Sequence, residues 1–326
     1  MSFPTPENLI LPAAQADGYE AVGSGRTLQA DVVIVGTGPG GASVARVLSE
    51  SGARVVLIED GPAKSRFRPN QAHTMRYHMQ EGGMIIAQGS GYLSIAAGRG
   101  VGGGTLINSA LSFQPAPEVL DDWAERLHDP GWGSDALTPI YDEVSRLIGV
   151  GPTLPVFAGE NNRLIARGIE ALGLDGGLAP RSTPRCVGCG ICNYGCPTDG
   201  KASMNLTLLP RAVSNGALIQ ADTFITEILT NKNRAVGVRG LARHPDTREP
   251  IGPVEVRADR VVLSAGALGT PRLLWHTGLA KKMGPVGKGL HVHPGSAVFG
   301  ICDHEINLWR GATQGAYFHH PDLPGV

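Results

Sequence analysis

Asp31-Val32-Val33-Ile34-Val35-Gly36-Thr37-Gly38-Pro39-Gly40-Gly41 opens the stretch that decides the fold, and Arg54-Val55-Val56-Leu57-Ile58-Glu59 closes it. The opening apolar run is unbroken, as expected of a parallel strand covered on both faces. Behind the glycines, Ala42, Ala45 and Leu48 fall on one helical stripe with Val44 and Val47 beside it, and Gly52 stops the helix. Arg54–Ile58 is a second buried strand, so the whole is a β-α-β unit, whose crossover is nearly always right-handed. Gly36, Gly38 and Gly41 hold the G-x-G-x-x-G spacing. The first permits the tight turn, the second lets backbone approach a pyrophosphate, and the third lets helix and strand pack closely. The helix start turns its unpaired N–H groups and positive dipole end to the same place. Glu59 ends the second strand, where a carboxylate accepts hydrogen bonds from both ribose hydroxyls and repels a 2′-phosphate. Strand before, helix after and acid beyond make this a dinucleotide turn.

The rest of the chain bounds what surrounds that unit. Its 326 residues suggest about two domains. Lys+Arg number 28 against 29 Asp+Glu, a net charge of -1 that argues against nucleic acid and anionic membrane as partners. With 42% hydrophobic and 17% charged residues the chain is neither disordered nor fibrous. Its 46 glycines follow no collagen period, so they belong where backbone turns with positive φ or comes close to something. No apolar run is long enough to span a bilayer, and Met1–Gln15 lacks the features of a secretory signal, so a cytoplasmic location is expected.

Residues 1–28 read as a surface arm. Residues 82–111 are glycine-dense. Helices are expected over Glu118–His128 (Val119, Trp123, Leu127), after a capping Ser134 (Leu137, Tyr141, Val144, Ile148), over 161–173 (Leu164, Ile165, Ile169, Leu172) and around Ser203–Val213. From Ala217 the period becomes that of strands. Leu218–Leu229, a turn at Thr230–Asn233, Ala235–Leu241 and Val254–Arg257 read as a β-meander. Arg260–Ser264 is another buried strand, and Thr270-Pro271 is expected to open a helix with Leu273 and Leu274 on its apolar face. A nicotinamide enzyme usually continues β-α-β through six strands. A meander followed by one strand suits a flavin fold better, leaving an NAD-dependent dehydrogenase as a rival.

Four blocks in order carry a resemblance: the Gly36–Gly41 turn with Glu59; Gly98-Arg99-x-Val101-Gly102-Gly103-Gly104-Thr105-x-x-Asn108; Ser264-Ala265-Gly266-Ala267-x-x-Thr270-Pro271-x-Leu273-Leu274; and Gly287-x-Gly289-Leu290-x-x-His293-Pro294. From Ala30 onward the chain resembles the glucose–methanol–choline flavin oxidoreductases. The resemblance implies FAD, with Gly36, Gly38 and Gly41 at its pyrophosphate and Glu59 at its adenosine ribose. Arg99, Gly102, Gly103, Thr105 and Asn108 would line the pyrophosphate and isoalloxazine, the backbone at Ile225 would meet adenine, and Ala265 would lie where a strand end passes the cofactor. It implies oxidation of a CH–OH donor (alcohol, sugar or sterol-like) by hydride transfer to flavin N5. It places the catalytic His and its partner in a C-terminal portion beyond this chain, which is therefore expected to be a fragment with no nameable catalytic residue. His291, His293, His319 and His320 could each be a ligand or base, although a lone strand histidine is more often an ordinary core or surface residue.

Four of the five cysteines form Cys186-x2-Cys189-x2-Cys192-x3-Cys196-Pro197, the bacterial ferredoxin spacing. Gly188 and Gly190 let such a loop wrap an Fe–S cluster and donate N–H groups to its sulfurs. In two-cluster ferredoxins, however, the fourth cysteine serves the other cluster, and no second motif is present. Plain or redox-active thiols come next, and zinc last, since structural zinc sites separate their cysteine pairs by a longer gap. With a cluster, electrons would pass to a quinone, cytochrome or other carrier, favouring a dehydrogenase; without it, O₂ or a quinone is the acceptor. A truncated flavoprotein or Fe–S electron-transfer module without turnover is the rival from another class.

The expected architecture is α/β: a Rossmann-type FAD-binding domain (29–115 and 215–285) with an inserted β-meander, plus a mixed α+β substrate or cap domain that is incomplete at the C-terminus. Residues 116–214 form its helical insertion, with the cysteine loop at 186–197, and 286–326 begin a substrate-binding domain.

Overall fold

The structure is a computed structural model and describes residues 10–11, 27–63, 70–89, 91–292, 295 and 297–320. The chain forms two compact units, Met1–Ile107 with Met204–Phe299, and Asn108–Ser203 with Gly300–Val326.

The first unit is built on a mixed seven-stranded sheet in the order Ile10–Leu11, Leu218–Gln220, Val55–Ile58, Thr27–Val35, Pro250–Leu263, Arg234–Arg243, Thr223–Asn231. The first five run parallel and the last three form an antiparallel ladder. Val32–Val35 pair residue for residue with Val55–Ile58, and all eight are buried. That is why both segments read as unbroken apolar runs. The helix Pro39–Glu50 buries small residues, Gly41, Ala42, Ala45 and Ser49, and leaves Val47 exposed. Small contacts let it lie close to the strands. On the other side, Val33, Val35, Val56 and Ile58 join Ile225, Ile228, Val238 and Val256 in one core, closed by Leu273 and Leu274. Each such side chain contributes about 1.5–3 kcal/mol of burial.

Several expectations need correction. The run Leu218–Leu229 is two strands, broken at Ala221-Asp222, where Asp222 takes φ 47°. Leu218–Gln220 lies parallel beside Val56–Ile58, and only Thr223–Asn231 enters the antiparallel ladder. Ala221, Asp222 and Thr223 are all buried, so hydropathy carries no mark of the corner. Conversely, Val254–Arg257 and Arg260–Leu263 belong to one 14-residue strand, antiparallel to Arg234–Arg243 in its first part and parallel to Thr27–Val35 in its second. The last helix starts at Gly266 (φ 81°), not at Thr270-Pro271, and Pro271 lies inside it. Thr270 does not cap it; its hydroxyl accepts the Ala265 N–H at 3.0 Å. Ser134 is the first helical residue, Gly133 is the cap, and Asp121 accepts the Ser134 N–H at 2.9 Å. Of the arm read over 1–28, Ile10–Leu11 form an edge strand and Thr27-Leu28 already belong to the sheet; the remainder lies outside the described residues.

The second unit holds the helices Pro117–Leu127, Ser134–Leu147 and Glu160–Ala171 and two small antiparallel pairs, Gly151–Pro152 with Pro180–Arg181 and Gly176–Leu178 with Ala316–Phe318. Leu111 bridges Arg181 and the Ser112 N–H meets the Pro180 carbonyl at 3.1 Å. This pairing draws 108–115 into the second unit, where the sequence placed it in the first. Asn162, buried, draws in the 300–320 segment: its amide donates to the Ala312 carbonyl at 2.7 Å and accepts the Gly315 N–H at 2.9 Å. Of the apolar helix stripes, Leu120 and Ile169 are buried, whereas Val119, Trp123, Leu127, Leu164 and Ile165 are exposed. Among the described residues no helix is long and apolar enough to cross a membrane.

Candidate functional site

Three glycine segments meet in the first unit. A Cβ on Gly36 would stand 2.3 Å from the Ser264 carbonyl oxygen, and one on Gly41 would stand 2.0 Å from that of Gly36. The first turn is thus pressed from behind against Ser264-Ala265 and from within against its own helix. A Cβ on Gly103 would stand 2.7 Å from the Cα of Gly38, so the second glycine block touches the first, backbone to backbone. Gly61 closes on Gly100 in the same way, with 2.2 Å left to the Gly100 nitrogen. In front the space is open: a Cβ on Gly104 or Gly266 would meet nothing within 4 Å. The helix beginning at Pro39 has no side-chain cap and no acidic residue in its first turn, so its positive end is unopposed.

Glu59 ties these segments together. Its Oε2 accepts from the Thr37 N–H at 3.1 Å and the Thr37 hydroxyl at 2.6 Å, and its Oε1 from the N–H groups of Gly61 at 3.0 Å and Gly100 at 3.2 Å. The Thr37 hydroxyl in turn accepts the Gly102 N–H at 3.2 Å. Burial raises the Glu59 carboxyl above the ordinary range, and these donors oppose the shift. The carboxylate expected to meet ribose spends four acceptor positions on the protein's own backbone and Thr37. Thr37, the polar residue between two glycines, is the functional side chain the motif passes over. Its signal was a hydroxyl in a turn that otherwise works through backbone alone.

Beside this junction lies a group of buried and half-buried titratable side chains. Arg99 donates through Nη2 to the Tyr77 carbonyl at 3.1 Å, and its N–H meets the His78 carbonyl at 2.8 Å. His78 is buried; burial chiefly, then the neighbouring His73 and Arg99, lowers it to about 4. Asp222 is pushed up to about 7 by burial, although Arg248 stands 3.4 Å away and opposes the shift. Arg248 also pairs with Asp60.

The Thr105 hydroxyl donates to the Gly102 carbonyl at 2.6 Å and accepts the Met204 N–H at 3.0 Å, so it braces the second glycine block. Asn108 is exposed and falls in the second unit, its carbonyl accepting from Lys201 at 2.9 Å. The Ile225 side chain is core, at a register shift beside Glu227, which leaves only its backbone for a ligand. Ala265 has its backbone nitrogen 3.0 Å from where a Gly36 Cβ would be. His291 and His319 are exposed, and His293 lies outside the described residues.

A second cluster occupies the second unit. Cys186, Cys189, Cys192 and Cys196 line one narrow cavity with Gly190, Gly200 and Lys201, and all four thiols are free. Gly188, Gly190 and Gly195 take positive φ to carry the loop round. Arg181, 1% exposed, donates through Nη2 to Cys192 Sγ at 3.1 Å and to the Ser109 carbonyl at 2.7 Å, while its buried Nη1 has no hydrogen-bond partner. Lys201 donates to the Cys192 carbonyl at 2.9 Å, and burial lowers it to about 8. Burial would raise the Cys192 thiol, but the facing Arg181 and Lys201 bring it below its ordinary value; at Cys189 burial prevails and raises it. Among the described residues no group of three or more His, Cys, Asp or Glu side chains could hold a metal ion. Nothing in the cysteine spacing points to Arg181, which stands five residues before the first cysteine while Arg185 adjoins it.

The chain is similar to known proteins. Residues 75–295 match the family described as GMC oxidoreductase, and residues 29–81 match an FAD binding domain. An uncharacterized GMC-type oxidoreductase of Mycobacterium tuberculosis is 34% identical over 315 residues, covering 94% of this chain and 48% of its own length. A long-chain-alcohol oxidase of Arabidopsis thaliana is 29% identical over 88% of this chain and 39% of its own. Among solved structures, pyridoxine 4-oxidase from Mesorbium loti superposes with a TM-score of 0.59 at 20% identity, over 76% of this chain and 52% of that one. The chain spans about half the length, or less, of these relatives. Across two blocks of glycine, a buried acid between them and a family match over most of its length, the chain belongs to the GMC oxidoreductase family.

Proposed function

We propose that this chain is the FAD-holding part of an oxidoreductase that oxidises a CH–OH donor. The observation that carries the reading is the seating of Gly103 on Gly38, with open space in front of Gly104 and Gly266. Backbone is packed tightly behind the junction and bare before it, which is what a pyrophosphate needs from two loops at once. Gly36, Gly38 and Gly41 would hold the diphosphate with the uncapped helix start, and Gly102, Gly103 and the Ala265 backbone would flank it. FAD, when bound, supplies the hydride acceptor. Glu59 sets the distance between the two glycine blocks instead of spending its oxygens on ribose. Arg99 holds the chain on the approach to Gly100.

The donor is an alcohol in this reading, as the names of the long-chain-alcohol oxidases and of 2-methyl-1,2-propanediol dehydrogenase suggest for those relatives. A dehydrogenase passing electrons to a carrier is favoured by the spacing of the cysteine loop and by the name of the propanediol dehydrogenase; an oxidase using O₂ is favoured by the names of the long-chain-alcohol oxidases.

Titration of the purified chain with FAD, followed by flavin fluorescence, tests the cofactor. Stoichiometric binding, weakened at least tenfold in Gly103→Ala, is expected; a chain that neither carries nor takes up FAD overturns the reading. A panel of alcohols given anaerobically to the full-length protein, with flavin bleaching as readout, tests the donor. Oxygen uptake against dye reduction then separates oxidase from dehydrogenase.

A further inference from the structure

We propose that the cysteine loop of the second unit is a peroxide-reactive thiol site, in which Cys192, hydrogen-bonded to Arg181, is oxidised at sulfur and closes a disulfide with Cys189. The ferredoxin spacing implies something else, an iron–sulfur core held by all four cysteines, and the fold does not fit it. The cavity that the four line has room for about one water, and among the described residues these side chains form no group that could hold a metal ion. Nor is the loop slack: a Cβ on Gly190 would run into the Trp309 carbonyl, and one on Gly200 into that of Arg185. Four free thiols around a solvent-sized space are left for chemistry of their own.

Arg181 singles out one of the four. It is 1% exposed, and burying a guanidinium without a counter-charge is costly. Among the described residues its hydrogen bonds go to the Ser109 carbonyl and to Cys192 Sγ, the latter at 3.1 Å, and to no carboxylate. A Cys192 thiolate is the anion within its reach. Lys201, also buried, donates to the Cys192 carbonyl at 2.9 Å. Burial opposes a charged sulfur there, and the facing cations outweigh it. Nη1 of Arg181 has no hydrogen-bond partner, which leaves an N–H on the same planar group for an oxygen added to that sulfur.

Cys189 is placed to resolve the product. It is the exposed member of the four, and the chain turns between it and Cys192 at Gly190, φ 75°. Partial burial raises its thiol, and of the other three sulfurs Cys192 adds most to that shift. The remaining two thiols that face the cavity are held by backbone: Cys186 Sγ accepts the Gly188 N–H at 3.3 Å and Cys196 Sγ the Gly200 N–H at 3.2 Å.

The step balances with hydrogen peroxide as the oxidant. The Cys192 thiolate attacks one peroxide oxygen; S–O forms, O–O breaks, and the departing hydroxide takes a proton from solvent. The Cys189 sulfur then loses its proton and attacks the Cys192 sulfur; S–S forms, S–O breaks and water leaves. Two electrons pass from the thiols to peroxide, giving one disulfide and two waters. Only one oxygen must reach the sulfur, so space for about one water suffices, and a bulky disulfide oxidant is shut out.

The test is a thiol count on the whole chain, reduced with a dithiol under nitrogen, freed of the reductant and given one equivalent of hydrogen peroxide. Two of the five thiols should disappear and return with fresh dithiol, and peptide fragmentation should place the disulfide between Cys189 and Cys192. At pH 7 the parent should react about tenfold faster than free cysteine, the gain that a full share of thiolate gives. Cys192→Ser should lose that fast reaction and Cys302→Ser should keep it. In Cys189→Ser a sulfenic acid on Cys192 should persist and be trapped by dimedone. Arg181→Gln should slow the reaction about tenfold at pH 7, with the deficit closing as the pH rises, and Arg181→Lys should restore most of the rate. A parent rate no greater than that of free cysteine, a disulfide other than Cys189–Cys192, or zinc or iron with sulfide bound to the loop of the purified chain overturns the proposal. The parent measurement decides even where a variant fails to fold. Thiols are counted apart from flavin, so failure here and failure of the FAD reading are distinguishable.

Discussion

Glu59 and Arg181 are both buried charges among glycines, one surrounded by donors and the other short of acceptors. Each oxygen of Glu59 has two partners from its own chain. Arg181 shares one carbonyl and one sulfur and leaves Nη1 bare. A charge answered from within fixes the architecture whether or not anything binds. A charge left partly unanswered is a cost that the rest of the fold must offset. The two regions differ in this way although both turn on glycine, and substitutions tell them apart.

Gly41→Ala strikes hardest. Its new Cβ would stand 2.0 Å from the Gly36 carbonyl oxygen, so a loss of about 4 kcal/mol, or failure to fold, is expected in urea denaturation. Glu59→Gln should cost about 3 kcal/mol, because the amide group faces N–H donors that it cannot accept from. A loss near zero would mean that the carboxylate does not hold the junction.

Two buried groups give opposite pH slopes. His78, lowered to about 4, binds its proton less well in the fold, so its share of stability is present above pH 6.5 and is lost as the pH falls toward 4. Asp222, raised to about 7 from 3.8, binds its proton more tightly in the fold, so its share is present below pH 4 and is lost as the pH rises toward 7. Each is on the order of 3 kcal/mol and they oppose one another, so their two contributions largely cancel between pH 4 and 7. Asp222→Asn should expose acid lability and His78→Gln a loss of stability toward neutral pH, both read from urea midpoints at pH 4.5 and 7.5.

Arg181→Met should be neutral within about 1 kcal/mol or stabilising, since it removes a buried charge that has no carboxylate partner among the described residues. A loss as large as that of Glu59→Gln would place Arg181 in the same class as Glu59. The smallest effect is expected at Gly104→Ala, within about 0.5 kcal/mol of the parent. It should nevertheless weaken FAD binding, because it adds a methyl group to the open side of the junction.

What the sequence made legible was local and periodic. The apolar runs Val32–Val35 and Val55–Ile58 and the glycine spacing between them are short-range signals, and these elements lie where they were read. Illegible were events that hydropathy does not mark. The corner at Asp222 is buried like the strands on either side, and the joined strand Pro250–Leu263 changes neighbours without changing direction. Partners distant in sequence were equally hidden. Glu59 reaches Gly100 across 41 positions, and nothing near Glu59 announces that its oxygens are already spoken for. Arg181 reaches Cys192 from outside the motif, so the spacing of the cysteines gives no hint of it.

Pro250–Leu263 serves two ladders with a single backbone, so its alignment cannot be right in one and wrong in the other. A slip of one residue would turn Val254 and Val256 outward at one end. In the same stroke it would carry Ser264 off Gly36 at the other. Assembly errors in this strand are therefore all-or-none: a chain that has misaligned its outer hairpin also has no seat for the first turn, and partly correct versions do not persist to compete with the sound one.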